Sequence, residues 1–163
     1  MRVGMIVAHD LNNGIGFKSG SPWNVPKDLE IFRSRTLGNA VIVGRSTWES
    51  MTTELPGRDV YVLSKNPLYR PRGTVCGIFR NPKDIIDLCN SDKNYPWVYV
   101  IGGSLVYETC IRYVGTIYET VIYGNFQWDT LFDPRWLAGF IQTKYQFFSV
   151  KPYSFALNTY KRE

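Results

Sequence analysis

The sequence carries one histidine, His9, and spacing suggests no acid–base partner for it, so it reads as structural or loop-facing rather than as a general base. Its three cysteines, Cys76, Cys89 and Cys110, are odd in number and widely separated, which excludes a disulfide framework and any metal-ligand spacing and predicts reduced, mostly buried thiols. There is no apolar run long enough to span a bilayer, no charged-then-apolar leader after Met1, no P-loop and no G-x-S-x-G elbow. These absences predict a cytoplasmic protein with no membrane partner. The net charge is +5, but the basic residues are scattered and form no basic arm. A mild positive field of that kind suits a small polyanionic ligand and gives no specific footprint for nucleic acid. With 44% apolar and 20% charged residues, neither disorder nor coiled coil is expected. No repeat or linker divides the chain, and 163 residues fit one domain over positions 1–163.

What is present alternates between strand and helix. Val3–Ala8 and Ala40–Gly44 are short apolar runs typical of buried strands, and Val60–Leu63, Thr74–Phe79 and Trp97–Ile101 follow the same pattern. Pro26 is placed as a first helical residue, with Lys27–Thr36 continuing the helix. Arg45–Met51 and Pro82–Asn90 read as further helices, and Ser104 as the cap of one reaching Arg112. Thr116–Tyr123, Lys144–Val150 and Tyr153–Arg162 are β-branched and aromatic, with Lys151-Pro152 as a hairpin connection. The pattern predicts a single α/β domain: about eight strands in a mostly parallel sheet, an antiparallel C-terminal edge strand and four flanking helices.

Three places could carry chemistry. Asp28 falls in the first turn of the Pro26 helix, where any carboxylate is favoured by the helix dipole. Phe32 shares its face at i+4 and Trp23 precedes it, so the same acid could instead line a pocket and grip a flat heterocycle through paired N–H donors. Ile101-Gly102-Gly103-Ser104 joins a strand to a helix; such glycines serve either close helix packing or the approach of a phosphate to the helix start. Val43-Gly44-Arg45-Ser46-Thr47-Trp48 repeats that arrangement with two hydroxyls and an arginine, which suits an ordinary N-cap or a pyrophosphate. Arg58, after a Pro-Gly turn, is either solvated or a carboxylate ligand.

Taken in order, Gly14-Ile15-Gly16, Pro22-Trp23-Asn24-Val25-Pro26-Lys27-Asp28-Leu29, Val41 to Ser50, Leu55-Pro56-Gly57-Arg58, Val100 to Tyr107 and Asp129-Thr130-Leu131-Phe132 resemble the dihydrofolate reductase family over most of the chain. The resemblance implies NADPH-dependent reduction of 7,8-dihydrofolate to tetrahydrofolate, with hydride added at pterin C6 and a proton at N5. It implies that Asp28 meets the pterin N3 and 2-amino group, that Trp23 holds an ordered water, that Thr120 supports Asp28 and that Phe32 packs on the substrate. Ile6, Val7, Ala8, Leu29, Met51, Leu55 and Ile101 would line the substrate pocket, and Arg58 would pair with the α-carboxylate of the glutamate tail. For NADPH it implies Ala8, Ile15, Gly16, Gly44, Ser46, Thr47, Leu63, Ile101, Gly102, Gly103, Ser104, Leu105 and Val106 along the cofactor, Tyr107 near the nicotinamide, and Arg45, Ser64 and Lys65 at the 2′-phosphate. Leu11–Asn24 would form a lid. Antifolates such as methotrexate and trimethoprim would be possible inhibitors, the protein would be a monomer, and no metal is implied.

Two positions depart from the family pattern: Ser104 stands where a third glycine is common, and Ser21 where the lid usually has a bulky apolar residue. Two other readings stay open at this point. One is the related pyrimidine reductase of riboflavin synthesis, against which the Trp23, Asp28 and Phe32 wall argues. The other is a catalytically idle binding or structural member of the fold, against which the presence of Asp28 and the glycine pair argues.

Overall fold

The computed structural model describes residues 2–16, 21–91 and 95–163. The strand Ala40–Gly44 (β3) lies inside the main sheet, and all five of its residues are buried. That explains why its sequence is apolar throughout rather than alternating: helices cover both faces of a parallel sheet. In chain order the other strands of the main sheet are Arg2–Asp10 (β1), Asp59–Leu63 (β4), Gly77–Phe79 (β5), Trp97–Gly102 (β6), Thr116–Ile122 (β7), Phe140–Phe148 (β9) and Phe155–Arg162 (β10). Gly14–Gly16 (β2) and Thr130–Leu131 (β8) pair with each other in a separate two-stranded ladder.

The eight strands lie in the order β5-β4-β3-β6-β1-β7-β10-β9. Pairing is parallel from β5 to β7, and β10 is antiparallel to both β7 and β9. The C-terminal strand is thus the antiparallel one, and it sits one place in from the edge because β9 pairs along its outer side. Four α-helices are present among the described residues: Pro26–Thr36 (α1), Arg45–Ser50 (α2), Pro82–Ser91 (α3) and Ser104–Cys110 (α4). On one face Val41, Val43, Val60, Val62 and Tyr99 pack with Trp48 of α2, and Phe32 of α1 joins them. On the other, Met5, Val7, Ile42, Val98, Val100 and Ile117 meet Ile85, Ile86 and Cys89 of α3 and Val106, Tyr107 and Cys110 of α4. Alternation along each strand sends neighbours to opposite cores.

Several expectations are corrected. Ser104 is the first residue of α4 rather than its cap; Gly103 occupies the cap position without a side-chain hydrogen bond, and the helix gives way to a 3-10 turn at Ile111–Tyr113. The strand expected from Thr74 begins only at Gly77, since the Thr74 amide is drawn to the Glu54 carboxylate. The hairpin strands run Phe140–Phe148 and Phe155–Arg162 rather than Lys144–Val150 and Tyr153–Arg162. Cys89 and Cys110 are buried, whereas Cys76 is exposed. No described helix is long and apolar enough to cross a membrane, and no metal-binding group of histidine, cysteine or acidic side chains occurs among the described residues.

Candidate active site

Ligands of open α/β sheets bind outside the carboxyl ends of the strands. Here a cavity of about 1060 Å³ lies at that edge. Ile6, Val7 and Ala8 of β1 and Ile101 at the end of β6 supply its floor, with Thr120 of β7 and Leu157 of β10 beside them. Helix α1 forms the opposing wall through Asp28, Leu29, Phe32 and Arg35, with Trp23 from the segment before it.

Pro26 sets the start of α1, which brings Asp28 into the first turn, where the helix dipole favours a carboxylate. Thr120 Oγ1 donates to Asp28 Oδ1 at 2.8 Å. Thr120 itself is held in register opposite Ala8, so the strand pairing aims that hydroxyl at the helix. Burial raises the Asp28 carboxyl above its ordinary range, and the Thr120 hydrogen bond only partly offsets this by stabilising the ionised form. Its charged form is therefore harder to reach than that of an exposed aspartate.

At the far end, two short helices begin side by side. A Cβ on Gly103 would stand 2.9 Å from Thr47 Oγ1, and one on Gly44 would stand 2.8 Å from Val106 Cγ2. The two glycines thus leave room for the Thr47 and Val106 side chains at the helix starts. Gly102 also needs glycine for its own conformation, with φ at +116° and Tyr107 Oη 3.0 Å from where a Cβ would sit. The Tyr107 hydroxyl donates to the Ile6 and Ile101 carbonyl oxygens at 2.8 and 3.0 Å, tying β1 to β6 beneath the cavity, and burial pushes its ionisation far above the usual range.

The remaining expected residues divide in two. Ile15 and Gly16 on β2, Met51, Gly44 to Thr47, Leu63 to Lys65, and Gly103 to Tyr107 all line the cavity. Leu55, Arg58 and Gly102 lie outside the lining. Leu55 is buried in the Trp48 core. The Arg58 guanidinium donates to Thr36 Oγ1 at 3.2 Å and to the Pro56 carbonyl, and burial together with the nearby Arg33 charge lowers its ionisation. Of the expected lid, residues 17–20 lie outside the described residues; Ser21 is exposed and borders the cavity.

Sequence reasoning missed Arg80, Arg35, Tyr118 and Thr130, which also line the cavity. Arg35 sits 3.6 Å over the Tyr118 ring. Arg80 had one usable signal: it directly follows the end of β5, the same strand-end position as Ser64 after β4.

A buried carboxylate at one end of a long cleft, with close-approaching glycine turns, hydroxyls and the cations Arg45, Lys65 and Arg80 at the other, defines a site for a flat donor-bearing ring beside an extended anionic cofactor. The residues fit a phosphate-bearing dinucleotide on that donor set of hydroxyls and cations. Comparison with known proteins gives the class its name. The dihydrofolate reductase family model matches residues 2–162, and the chain belongs to that family. It is 34% identical over 134 residues to a dihydrofolate reductase of Staphylococcus aureus, covering 82% of this chain and 79% of the relative. It is 33% identical over 130 residues to that of Bacillus subtilis strain 168, covering 80% and 74%. Among solved structures, a dihydrofolate reductase from Enterococcus faecalis complexed with NADP(H) and RAB-propyl superposes with a TM-score of 0.89 at 29% identity, covering 99% of this chain and 96% of that one.

Proposed function

We propose that the protein reduces 7,8-dihydrofolate to 5,6,7,8-tetrahydrofolate with NADPH, supplying tetrahydrofolate for one-carbon metabolism and thymidylate synthesis. The observation that carries this reading is Asp28, the one carboxylate among the described residues lining the cavity, held there by Thr120. Its two oxygens match the paired N–H donors of the pterin N3 and 2-amino group, and a bidentate pair of this kind orients the ring as well as binding it. NADPH supplies the hydride that C6 receives. The Asp28 carboxylate, when ionised, favours the protonated and more electron-poor ring, while N5 takes its proton through a water beside Trp23. Ile6, Val7, Ala8 and Phe32 exclude bulk water and hold the ring flat.

Thr47, Ser46, Gly103 and Ser104 are assigned to the pyrophosphate, Ile15, Gly16 and Tyr107 to the nicotinamide end, and Arg45, Ser64 and Lys65 to the 2′-phosphate, with Arg80 added to them. Arg58 is assigned to the glutamate α-carboxylate, which requires it to leave the Thr36 hydroxyl. A monomeric, cytoplasmic enzyme that binds no nucleic acid, with methotrexate and trimethoprim as inhibitors, completes the proposal.

The test is loss of NADPH absorbance when dihydrofolate is added to purified protein, with and without methotrexate. Methotrexate-sensitive oxidation is the expected result; a folded protein that oxidises no NADPH on dihydrofolate overturns the assignment.

A further inference from the structure

Asp10 lies at the end of β1, two residues beyond the cavity-lining Ala8, and its side chain is fully buried. Among the described residues no cation pairs with it. Its charge is met by three backbone N–H groups instead: Oδ1 accepts from Asn12 and Gly14, both at 2.9 Å, and Oδ2 accepts from Phe126 at 3.1 Å. Two of these donors belong to the segment leading into β2, and the third to the segment between β7 and β8, more than a hundred residues away. Those two segments bring Ile15, Gly16 and Thr130 to the cavity.

Other contacts join the same pair of segments, and each is weaker or more local. The Asn12 side-chain amide donates to Asn125 Oδ1 at the surface. Phe132 N–H donates to the Asn13 carbonyl, and Asp129 N–H to the Gly16 carbonyl. The Trp128 ring covers Gly14 so closely that a Cβ there would come within 2.3 Å of it. Asp10 is the one buried charged group in the set, and charge-assisted hydrogen bonds are roughly twice as strong as neutral ones.

We propose that Asp10 is a positioning residue for the reaction: one carboxylate, shared between the two segments, sets where Ile15 and Gly16 stand over the nicotinamide end of the cavity. The assignment of that end rests on the function proposed above, whereas the tie itself does not.

The substitution Asp10→Asn separates the two oxygens. The amide oxygen keeps the Asn12 and Gly14 donors, and the amide nitrogen faces the Phe126 N–H, donor against donor. In the ligand-free protein, hydrogen exchange at the Phe126 amide is therefore expected to speed up about tenfold or more while the Gly14 amide stays protected. In the reaction, a placement error at the nicotinamide end is expected to slow turnover about tenfold and to raise the primary isotope effect with deuterated NADPH, with KM for dihydrofolate within about twofold of the parent. A role confined to stability would lower the unfolding midpoint and leave the isotope effect untouched.

Unchanged exchange at Phe126 in the folded variant overturns the tie, whatever the enzyme's substrate proves to be. Faster exchange with an unaltered isotope effect overturns the positioning role alone. The parent protein gives a reading that needs no variant: the Gly14 and Phe126 amides should be protected to a similar degree and gain protection together when NADPH is added. If the two respond independently, the proposal fails.

Discussion

The Thr120 hydroxyl donates to Asp28 Oδ1 at 2.8 Å, joining a strand and a helix start that are 92 residues apart. Burial and this bond act on the acid in opposite directions, and burial is the larger effect. The bond stabilises the charged form, so its removal leaves burial unopposed. Thr120→Val is expected to raise the Asp28 ionisation further, moving the corresponding limb of the kcat/KM profile to higher pH. A profile superimposable on the parent's would separate Asp28 from that limb.

Asp28→Asn should retain the fold and NADPH binding and lose about a hundredfold or more of turnover at neutral pH, in the range of a lost acid–base group. The same change has a stability consequence of opposite sign. An acid whose folded ionisation is raised contributes stability below its unfolded range, and that contribution is lost as pH rises through the folded value. Because burial penalises the charged form, ionising Asp28 costs stability as pH rises, and the Asn variant, which carries no such charge, should melt at the same temperature or higher. Thermal melts of both proteins at neutral pH check this; a clear drop for the variant counts against it.

His9 is buried and forms a pair with Glu119, its Nε2 2.7 Å from Glu119 Oε2, while its Nδ1 faces the Asp10 carbonyl at 2.8 Å. A carbonyl can only accept, so the ring is the donor in the Nδ1 hydrogen bond, while Nε2 shares its hydrogen bond with the Glu119 carboxyl. Burial alone would raise Glu119; the His9, Asn158 and Tyr160 hydrogen bonds and the His9 charge outweigh it and hold the carboxyl below its ordinary range. Stability from Glu119 is therefore complete above the ordinary carboxylate range and is lost as pH falls through the depressed folded value. Glu119→Gln should cost roughly 3 kcal/mol at neutral pH, since it strands a buried partner, and should flatten the loss on the acid side. Urea midpoints across the acid range measure both effects.

Gly102→Ala places a Cβ at φ +116° and 3.0 Å from Tyr107 Oη. A strained backbone of that kind costs about 2 kcal/mol, and displacement of Tyr107 disturbs the bonds it makes to Ile6 and Ile101. Reduced unfolding stability together with weakened NADPH binding is expected, measured by urea denaturation and cofactor titration. An unaltered affinity would detach this glycine from the cofactor end.

Arg45→Ala tests the 2′-phosphate assignment. Its loss should lower the preference for NADPH over NADH by about tenfold, the worth of one charged hydrogen bond, mainly through KM for NADPH. Equal losses with both cofactors would place Arg45 elsewhere.

Much of this protein could be read along the chain. Pro26 announced α1, and with it the first-turn position of Asp28; the apolar runs announced β1, β3, β4 and β6. The pieces that escaped are those with no local period. β2 and β8 have three and two residues, too short for alternation to register, and they exist because each pairs with the other. The β9 sequence gave a late start because its exposed side chains carry no burial pattern. His9 offered no partner by spacing, because Glu119 reaches it only when β1 and β7 lie in register.

The sequence by itself determined the α/β class, the helix that carries Asp28, and the glycine turns, because backbone preference and hydrophobic period act over a few residues. The tertiary structure decided which distant groups share a charge: Thr120 on Asp28, Glu119 on His9, and the Phe126 amide on Asp10. Electrostatics inside a protein depends on distance and burial, and neither exists until the strands have paired.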